Sequence, residues 1–233
     1  MMVFKKFFQF CLLILVVAVT VGVVYPQLSR DSSNLTGLPP LEQMATDAPE
    51  QVWGSSGSTI LPIAAQIMAI RNLGGVGLTV AQKGYFRPLF GGLVDRVMVV
   101  YQAKLLDRWS QNGKETHIGK IDSAAQTYCN RIYVRDADKP YDADRLVLLA
   151  HELTHAQQCQ EYGGISKFGF HYFQGYYQGG ETYQNNPLEQ AAQSMELKFA
   201  RQLCHTVGCP PRGESYYPNY KGWGIKFPVK LIR

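Results

Sequence analysis

The segment LLAHELTHAQQC, residues 148–159, places two histidines four positions apart with a glutamate directly after the first. On a helix four residues advance about 400°, so His151 and His155 would lie one turn apart on nearly the same line. Two neutral imidazoles at that separation can bind one zinc ion. Glu152 would lie about 100° round the helix from His151, where its carboxylate can accept a proton from zinc-bound water. The spacing therefore predicts a hydrolytic zinc site.

The alternative is an ordinary buried helix in which both histidines make core hydrogen bonds. The chain has only 5 histidines in 233 residues, so chance is a poor explanation for this spacing. The helix also supplies an apolar face without using either histidine, which favours the metal site.

Zinc needs a third protein ligand and an open position for water. The favoured candidate is Glu189 in YQNNPLEQAA, because a later helix that offers a carboxylate to an HExxH zinc is a recurring arrangement. The alternative for this residue is a capping box with Asn186 as N-cap and Pro187 at the first helical position, which would occupy the carboxylate with backbone. Glu196, two turns further along the same face, is the fallback ligand.

Three other side chains are weaker candidates for the third ligand. Glu161 is discounted because position 158 holds glutamine instead of the glycine that would let the helix turn. His171 lies in residues 168–183, where seven aromatics in sixteen residues favour packing over the lining of a substrate cleft. Cys159, one turn after the second motif histidine, is an alternative soft ligand.

Elements that must position the site can be read from the same sequence. Asp142 is a plausible N-cap for the motif helix, and Gly163 and Gly164 are a strong stop signal. The stripe that this helix should bury comprises Leu146, Leu149, Ala150, Leu153 and Ala156. Further predicted elements are a helix from Ile60 to the glycines at 74–75, a helix over residues 80–89, strands over 95–103 and 126–134, and a helix over 187–204.

The N-terminus contains eighteen residues without a charge, 7–24, directly after Lys5 and Lys6. A spanning helix needs about 20 residues and the apolar part of a signal peptide about 7–15. Residues 1–26 are therefore predicted to be an uncleaved transmembrane anchor in the cell membrane, with the domain outside the cytoplasm. A cleaved signal peptide, which would release a secreted protein, is the alternative.

The rest of the chain divides by composition. Residues 27–58 are predicted to be a linker, 59–210 the folded domain and 211–233 an irregular covering segment. Four cysteines lie outside the apolar segment, and in an oxidising compartment they suggest two disulfides with three connectivities. If Cys204 and Cys209 close a short loop, Cys129 is left for Cys159. Scattered basic residues without interleaved aromatics argue against nucleic-acid binding.

Four segments of the chain, in the same order, resemble the contractile-injection-system core domain family of HExxH metallopeptidases. They are YFRPLFGGLVDRVMVV (85–100), AAQTYCNRIYV (124–134), LVLLAHELTHAQQ (146–158) and YQNNPLEQAA (183–192). The resemblance covers about half of the chain and implies an α+β, zincin-like fold, with a small antiparallel sheet packed on the HExxH helix and further helices. It also implies Glu189 as the third metal ligand. Tyr183 matches the family's aromatic position, and our hypothesis is that it stabilises the oxyanion.

Motif, anchor and resemblance together predict a membrane-tethered, extracytoplasmic zinc metallopeptidase with a peptide or protein substrate. Glu152 would act as general base and later donate the proton to the leaving amine. Two alternatives stay open: a zincin-shaped binding or structural module without turnover, and a secreted effector. The chain departs from the family in its membrane segment and in Cys129 and Cys159.

Overall fold

The computed structural model describes residues 49–111, 114–117, 123–139 and 142–207. The predicted anchor, residues 1–26, and the predicted covering segment, 211–233, lie outside the described residues, as does Cys209. Within the described ranges, no helix combines the length and the apolar character that crossing a bilayer requires.

The described chain is an α+β structure with five helices and a small four-stranded sheet, which confirms the predicted fold class at that level. The helices are α1 (Pro49–Arg71), α2 (Val80–Phe90), α3 (Ala143–Glu161), α4 (Ile165–Gln178) and α5 (Pro187–Val207). The strands are β1 (Val76–Gly77), β2 (Met98–Val100), β3 (Arg108–Gln111), β4 (Lys114–His117), β5 (Ala125–Tyr128) and β6 (Arg131–Val134). Two 3-10 turns cover Gly91–Asp95 and Tyr183–Asn185.

The sheet has the order β1-β2-β6-β5 and is mixed, which corrects the predicted antiparallel sheet. The outer pairs are antiparallel, but β2 and β6 run parallel, with Val99 opposite Ile132. Side chains alternate in the same way in parallel and antiparallel pairs, so the sequence patterns of the strands did not indicate which kind of pairing to expect.

The region predicted as one strand over 126–134 is a hairpin. β5 and β6 pair in antiparallel fashion, with Tyr128 opposite Arg131. The connecting turn places Cys129 at a positive φ of 52°, which an extended strand cannot contain. The predicted strand over 95–103 is likewise shorter, because residues 91–95 form a 3-10 turn and only Met98–Val100 pair in the sheet.

Helix α3 packs against one face of the sheet, and its predicted bounds are confirmed. The Asp142 carboxylate accepts a hydrogen bond from the Arg145 backbone N–H at 2.9 Å, which caps the first turn. After the last turn, Gly163 and Gly164 adopt positive φ angles of 81° and 124°. All five residues of the predicted stripe are buried, and they share one core with β2, β6 and α5.

Helix α1 begins at Pro49, eleven residues before the predicted start at Ile60. Residues 49–58, predicted as the end of the linker 27–58 and excluded from the predicted domain 59–210, are therefore helical. The physical reason is contact with α4. Gly57 meets Gly169 of α4 so closely that a Cβ on either would overlap the other's backbone carbonyl oxygen. Small residues that suggested a flexible linker are what allow the two helices to approach.

The pair predicted to form a disulfide, Cys129 and Cys159, lies at disulfide distance with Cα atoms 5.2 Å apart. This pair joins the β5–β6 turn to the last turns of α3. Cys159 is buried, so the link lies inside the domain.

Candidate metal centre

Helix α3 brings the two motif histidines together as its periodicity predicts. The Nε2 atoms of His151 and His155 lie 3.1 Å apart, and each residue is only 6% exposed. The helix is continuous through this turn, so the one-turn spacing directs both rings to the same point.

The third side chain at this point is Glu189, in the first turn of α5. Its carboxylate oxygens lie 3.3 Å from His151 Nε2 and 3.4 Å from His155 Nε2. One ligand atom from each of the three residues lies within 4.8 Å of the others, as a shared ion would require. The structure thus brings together the three predicted metal ligands.

The capping-box alternative for Glu189 does not hold. The backbone N–H of Asn186 donates to the carbonyl of Tyr183 at 3.1 Å, so it does not take the Glu189 carboxylate as its acceptor. The Asn186 side chain instead accepts from Leu188 N at 3.1 Å. Asn186 therefore caps the helix alone, and the carboxylate of Glu189 is turned toward the histidines.

The surroundings of the Glu189 carboxylate best test whether a metal ion fits this site. The residue is 2% exposed, and within the described structure its buried Oε2 makes no well-formed hydrogen bond, although His151 Nε2 lies 3.3 Å away. Its Oε1 accepts from the Tyr172 hydroxyl at 2.5 Å. A buried carboxylate is costly unless a cation, either a protonated imidazole or a metal ion, compensates its charge. Two imidazole nitrogens and one carboxylate oxygen therefore fit a divalent metal ion.

The same cluster is strongly polarised without an ion. Burial lowers the pKa of His151, but hydrogen bonds to Glu189 and Glu196 outweigh it and raise the pKa to about 10. Burial raises the pKa of Glu189, yet His155 and His151 hold it well below its usual range. The metal-free site is thus an ion pair whose proton occupies the place of a cation.

Each ligand histidine has a hydrogen-bond partner at its other ring nitrogen. His151 Nδ1 lies 3.2 Å from the carboxylate of Glu196, and His155 Nδ1 lies 2.9 Å from the amide oxygen of Gln158. Such partners place the proton of the neutral ring on Nδ1 and leave the Nε2 lone pair for a metal. Glu196, the fallback ligand in the sequence analysis, therefore lies behind His151 and outside the donor set.

Gln158 also connects the two helices that carry the ligands. Its amide Nε2 donates to the carbonyl of Leu188 at 2.9 Å, directly before Glu189 in α5. One side chain thus orients His155 and fixes the backbone next to Glu189.

Glu152 lies beside the three-residue cluster, as the helical spacing predicts. It is buried, and its carboxylate accepts a hydrogen bond from the Thr127 hydroxyl at 2.6 Å. Thr127 belongs to β5, the edge strand of the sheet next to α3. The proximity of Glu152 is also one of the causes that raise the pKa of His151. The edge strand therefore orients the carboxylate that would carry out proton transfer.

The weaker ligand candidates lie elsewhere. Glu161 is exposed and accepts from Gln157 at 2.9 Å. His171 stacks on Tyr162, with ring centroids 4.2 Å apart. Cys159 is paired with Cys129. None of these three belongs to the cluster of ligand atoms found among the described residues.

Tyr183 is half-buried in the 3-10 turn that leads into α5. Its side-chain role at the oxyanion stays a prediction.

Sequence reasoning missed three side chains that shape the site: Tyr172, Gln158 and Thr127. Gln158 carried a signal, because it stands three positions after His155 on the same helix and can reach that ring. The other two come from different elements and carried none. Rings of Phe168 and Tyr172 each lie 6.2 Å from the His155 ring, so the aromatic stretch borders the site on one side.

No protein-family model, no curated protein and no solved structure matches this chain.

Proposed function

We propose that this protein is a zincin-like zinc metallopeptidase that hydrolyses peptide bonds. The observation that carries the proposal is the buried convergence of His151, His155 and Glu189, whose ligand atoms lie within 4.8 Å of one another. Support also comes from the position of Glu152, which neighbours the ligands on α3 without joining them. A histidine pair that only satisfied core hydrogen bonds would not require both Nε2 atoms to face the same buried carboxylate, at 3.3 and 3.4 Å.

In this proposal the three ligands hold zinc in a neutral-imidazole and carboxylate site, with Nε2 of each histidine facing the ion. Bound there, zinc would polarise the scissile carbonyl and lower the pKa of a water molecule to about 7. Glu196 and Gln158 keep the imidazoles oriented, because each holds the Nδ1 proton of one ring.

Glu152 performs the proton transfers. It accepts a proton from the attacking water and returns it to the amine of the leaving product. The Thr127 hydroxyl, 2.6 Å from one carboxylate oxygen, keeps that group in one orientation and leaves the other oxygen for the transfer. Tyr183 is the proposed donor to the oxyanion.

The proposed setting is the outer side of a cell membrane, with the chain tethered through residues 1–26. Its support is the uncharged segment 7–24 and the Cys129–Cys159 pair, which suits an oxidising compartment. A secreted form would require cleavage after that segment. The proposed substrate is a peptide or protein.

One observation favours the alternative, a metal-holding module without turnover. All three ligands and Glu152 are at most 6% exposed, so the described structure leaves a substrate little direct access to them. The experiment below separates the two functions.

The test uses the full chain, purified in detergent and loaded with zinc, beside His155→Ala, Glu152→Gln and the control Glu161→Gln. Metal content is measured, and a mixed peptide library is digested and read by mass spectrometry. We expect one zinc per chain in all but His155→Ala. Cleavage should fall about 10²- to 10⁴-fold in Glu152→Gln, because only the proton acceptor is lost, and should be unchanged in Glu161→Gln.

Equal cleavage by wild type and Glu152→Gln would reject the peptidase mechanism. Zinc binding with no cleavage of any peptide by the wild type would select the module. Absence of zinc binding in the wild type would reject both.

A further inference from the structure

Four of the five large hydrophobic side chains exposed in the described part of the chain lie within residues 70–80. They are Ile70, Leu73, Val76 and Val80, and we call this set the edge patch. Leu73 is 83% exposed and Val80 is 89% exposed, so both are almost completely in solvent. Single exposed hydrophobics are ordinary, whereas a contiguous group points to an interaction surface.

The edge patch is contiguous along the chain. Residues 73–80, with the sequence LGGVGLTV, contain no charged or aromatic side chain. Val76 lies in β1, the edge strand opposite β5. The remaining exposed hydrophobic residue, Met98, pairs with Gly77 and therefore projects from the face of the sheet opposite to Val76. Val80 begins α2 directly after this segment.

The segment is held at both ends, so its exposure is not that of a frayed loop. On one side the Asn72 side chain accepts from Lys104 N at 2.7 Å and donates to Lys104 O at 3.2 Å. On the other side Thr79 and Gln82 form a capping box at the start of α2. Arg131 donates to the carbonyl of Gly74 between them. The fold therefore presents these side chains outward in a fixed arrangement.

Basic side chains accompany the edge patch. Residues 70–104 contain five basic residues, Arg71, Lys83, Arg87, Arg96 and Lys104, against one acid, Asp95. Val80, Lys83 and Arg87 stand at i, i+3 and i+7 of α2, which places them on one helix face. Lys83 and Arg87 share the carboxylate of Asp95, at 3.1 and 2.8 Å, so this group keeps one excess positive charge. Aliphatic side chains in a segment with an excess of basic residues are the combination that binds the surface of an anionic bilayer.

Chain length allows this contact in a tethered protein. Helix α1, with 23 residues, is about 35 Å long and ends next to the edge patch at Arg71. The 24 residues from 25 to 48 can span up to about 80 Å. An anchor at residues 7–24 would therefore let the edge patch reach the same membrane even if α1 stood perpendicular to the membrane plane.

We propose that the edge patch inserts into the headgroup and upper acyl region of an anionic bilayer, as a second membrane contact independent of the N-terminal segment and of the metal. β1 and β5 are opposite edges of the sheet, three strand spacings or about 14 Å apart. Insertion at β1 thus orients the domain so that β5, with Thr127 beside Glu152, points away from the lipid.

The test places a tryptophan at the patch in the full chain. Leu73→Trp and Val80→Trp are reconstituted into vesicles that contain anionic lipid brominated in the upper acyl chain. The matched control is Ser194→Trp, an exposed position on α5 whose hydroxyl bonds only within its own helix. All variants keep the three native tryptophans, so their quenching cancels in the comparison.

We expect at least twofold more quenching of the added fluorescence at positions 73 and 80 than at 194, and less of it in purely zwitterionic vesicles. Equal quenching at all three positions would overturn the proposal. A patch covered by protein, either a second copy or another part of this chain, would also overturn it. That outcome would appear as a blue-shifted tryptophan at position 73 that brominated lipid does not quench. Neither result depends on zinc or on cleavage.

Discussion

Helices α3 and α1 have similar lengths, 19 and 23 residues, but their contacts are encoded in different ways. Helix α3 carries an apolar stripe and two histidines at one-turn spacing. Its own sequence therefore predicts which face is buried and which residues form the candidate site. Helix α1 starts with PEQVWGSSGS, in which Val52 and Trp53 are the only hydrophobic residues besides proline and glycine. Its contacts become intelligible only together with α4.

In the α1–α4 contact, glycine replaces the usual large apolar residues. The ring of Phe170 occupies the space where a Cβ of Gly54 would stand, 2.6 Å away. Trp53 then packs on the next turns of α4, with its ring 5.7 Å from that of Tyr176. The comparison teaches that a functional motif can be read within one helix, whereas close helix packing is a property of two.

The largest expected effect comes from a substitution that breaks the α1–α4 contact. Gly57→Val should destabilise the fold by about 3 kcal/mol, because the added carbons overlap the backbone of Gly169, which cannot move as a flexible side chain would. Urea unfolding monitored by circular dichroism measures this.

Gly84→Ala is the control, since Gly84 lies in α2 with open space around it. There the substitution should be neutral or stabilise by up to about 1 kcal/mol. Equal stability of Gly57→Val and wild type would show that α1 does not depend on this approach.

The second prediction concerns the point at which the two regions meet. Tyr172 belongs to α4, the partner of α1, and donates to the Glu189 carboxylate. Tyr172→Phe should weaken zinc binding about 10- to 100-fold, because the ligand loses the partner that orients it. Competition with a chromophoric chelator measures the affinity.

The control is Tyr177→Phe, which also removes one tyrosine hydroxyl from α4. The Tyr177 ring lies 6.3 Å from the ring of Trp53, on the side of α4 that contacts α1. Its zinc affinity should equal that of the wild type. A similar loss in both variants would mean that α4 acts through general stability and not through Glu189.

The smallest expected effect is the pH dependence of zinc binding at His151 of α3. The pKa of His151 in the metal-free protein is raised to about 10, and zinc binds only the neutral imidazole. Below that pKa the proton competes with zinc, so the apparent affinity should fall about tenfold for each pH unit that is lost. Chelator competition from pH 6.5 to 8.5 measures the slope, and a flat profile would contradict the ion-pair description of the metal-free site.

Sequence reasoning recovered the parts of the site that lie within one element. His151, Glu152 and His155 follow from helical spacing, and the ends of α3 follow from Asp142 and the two glycines. Glu189 was reached as one of two options, because its position suits both a cap and a ligand. Its contact with the histidines distinguishes the options only after α5 is placed.

The parts that sequence reasoning missed involve two elements at once. The parallel pairing of β2 with β6, the start of α1 at Pro49 and the hydroxyl of Tyr172 on Glu189 each depend on how separate segments pack. Residue types at those positions admit several partners, so local pattern does not select one.

By itself, then, the amino-acid sequence determined the buried face of α3, the paired imidazoles and the neighbouring carboxylate, because helical geometry holds residues three or four apart within about 6 Å of each other. Tertiary structure alone decided that Glu189 faces the histidines, that Glu196 and Gln158 stand behind them and that glycines join α1 to α4. These distances link residues far apart in the chain, and they result from packing of the whole core.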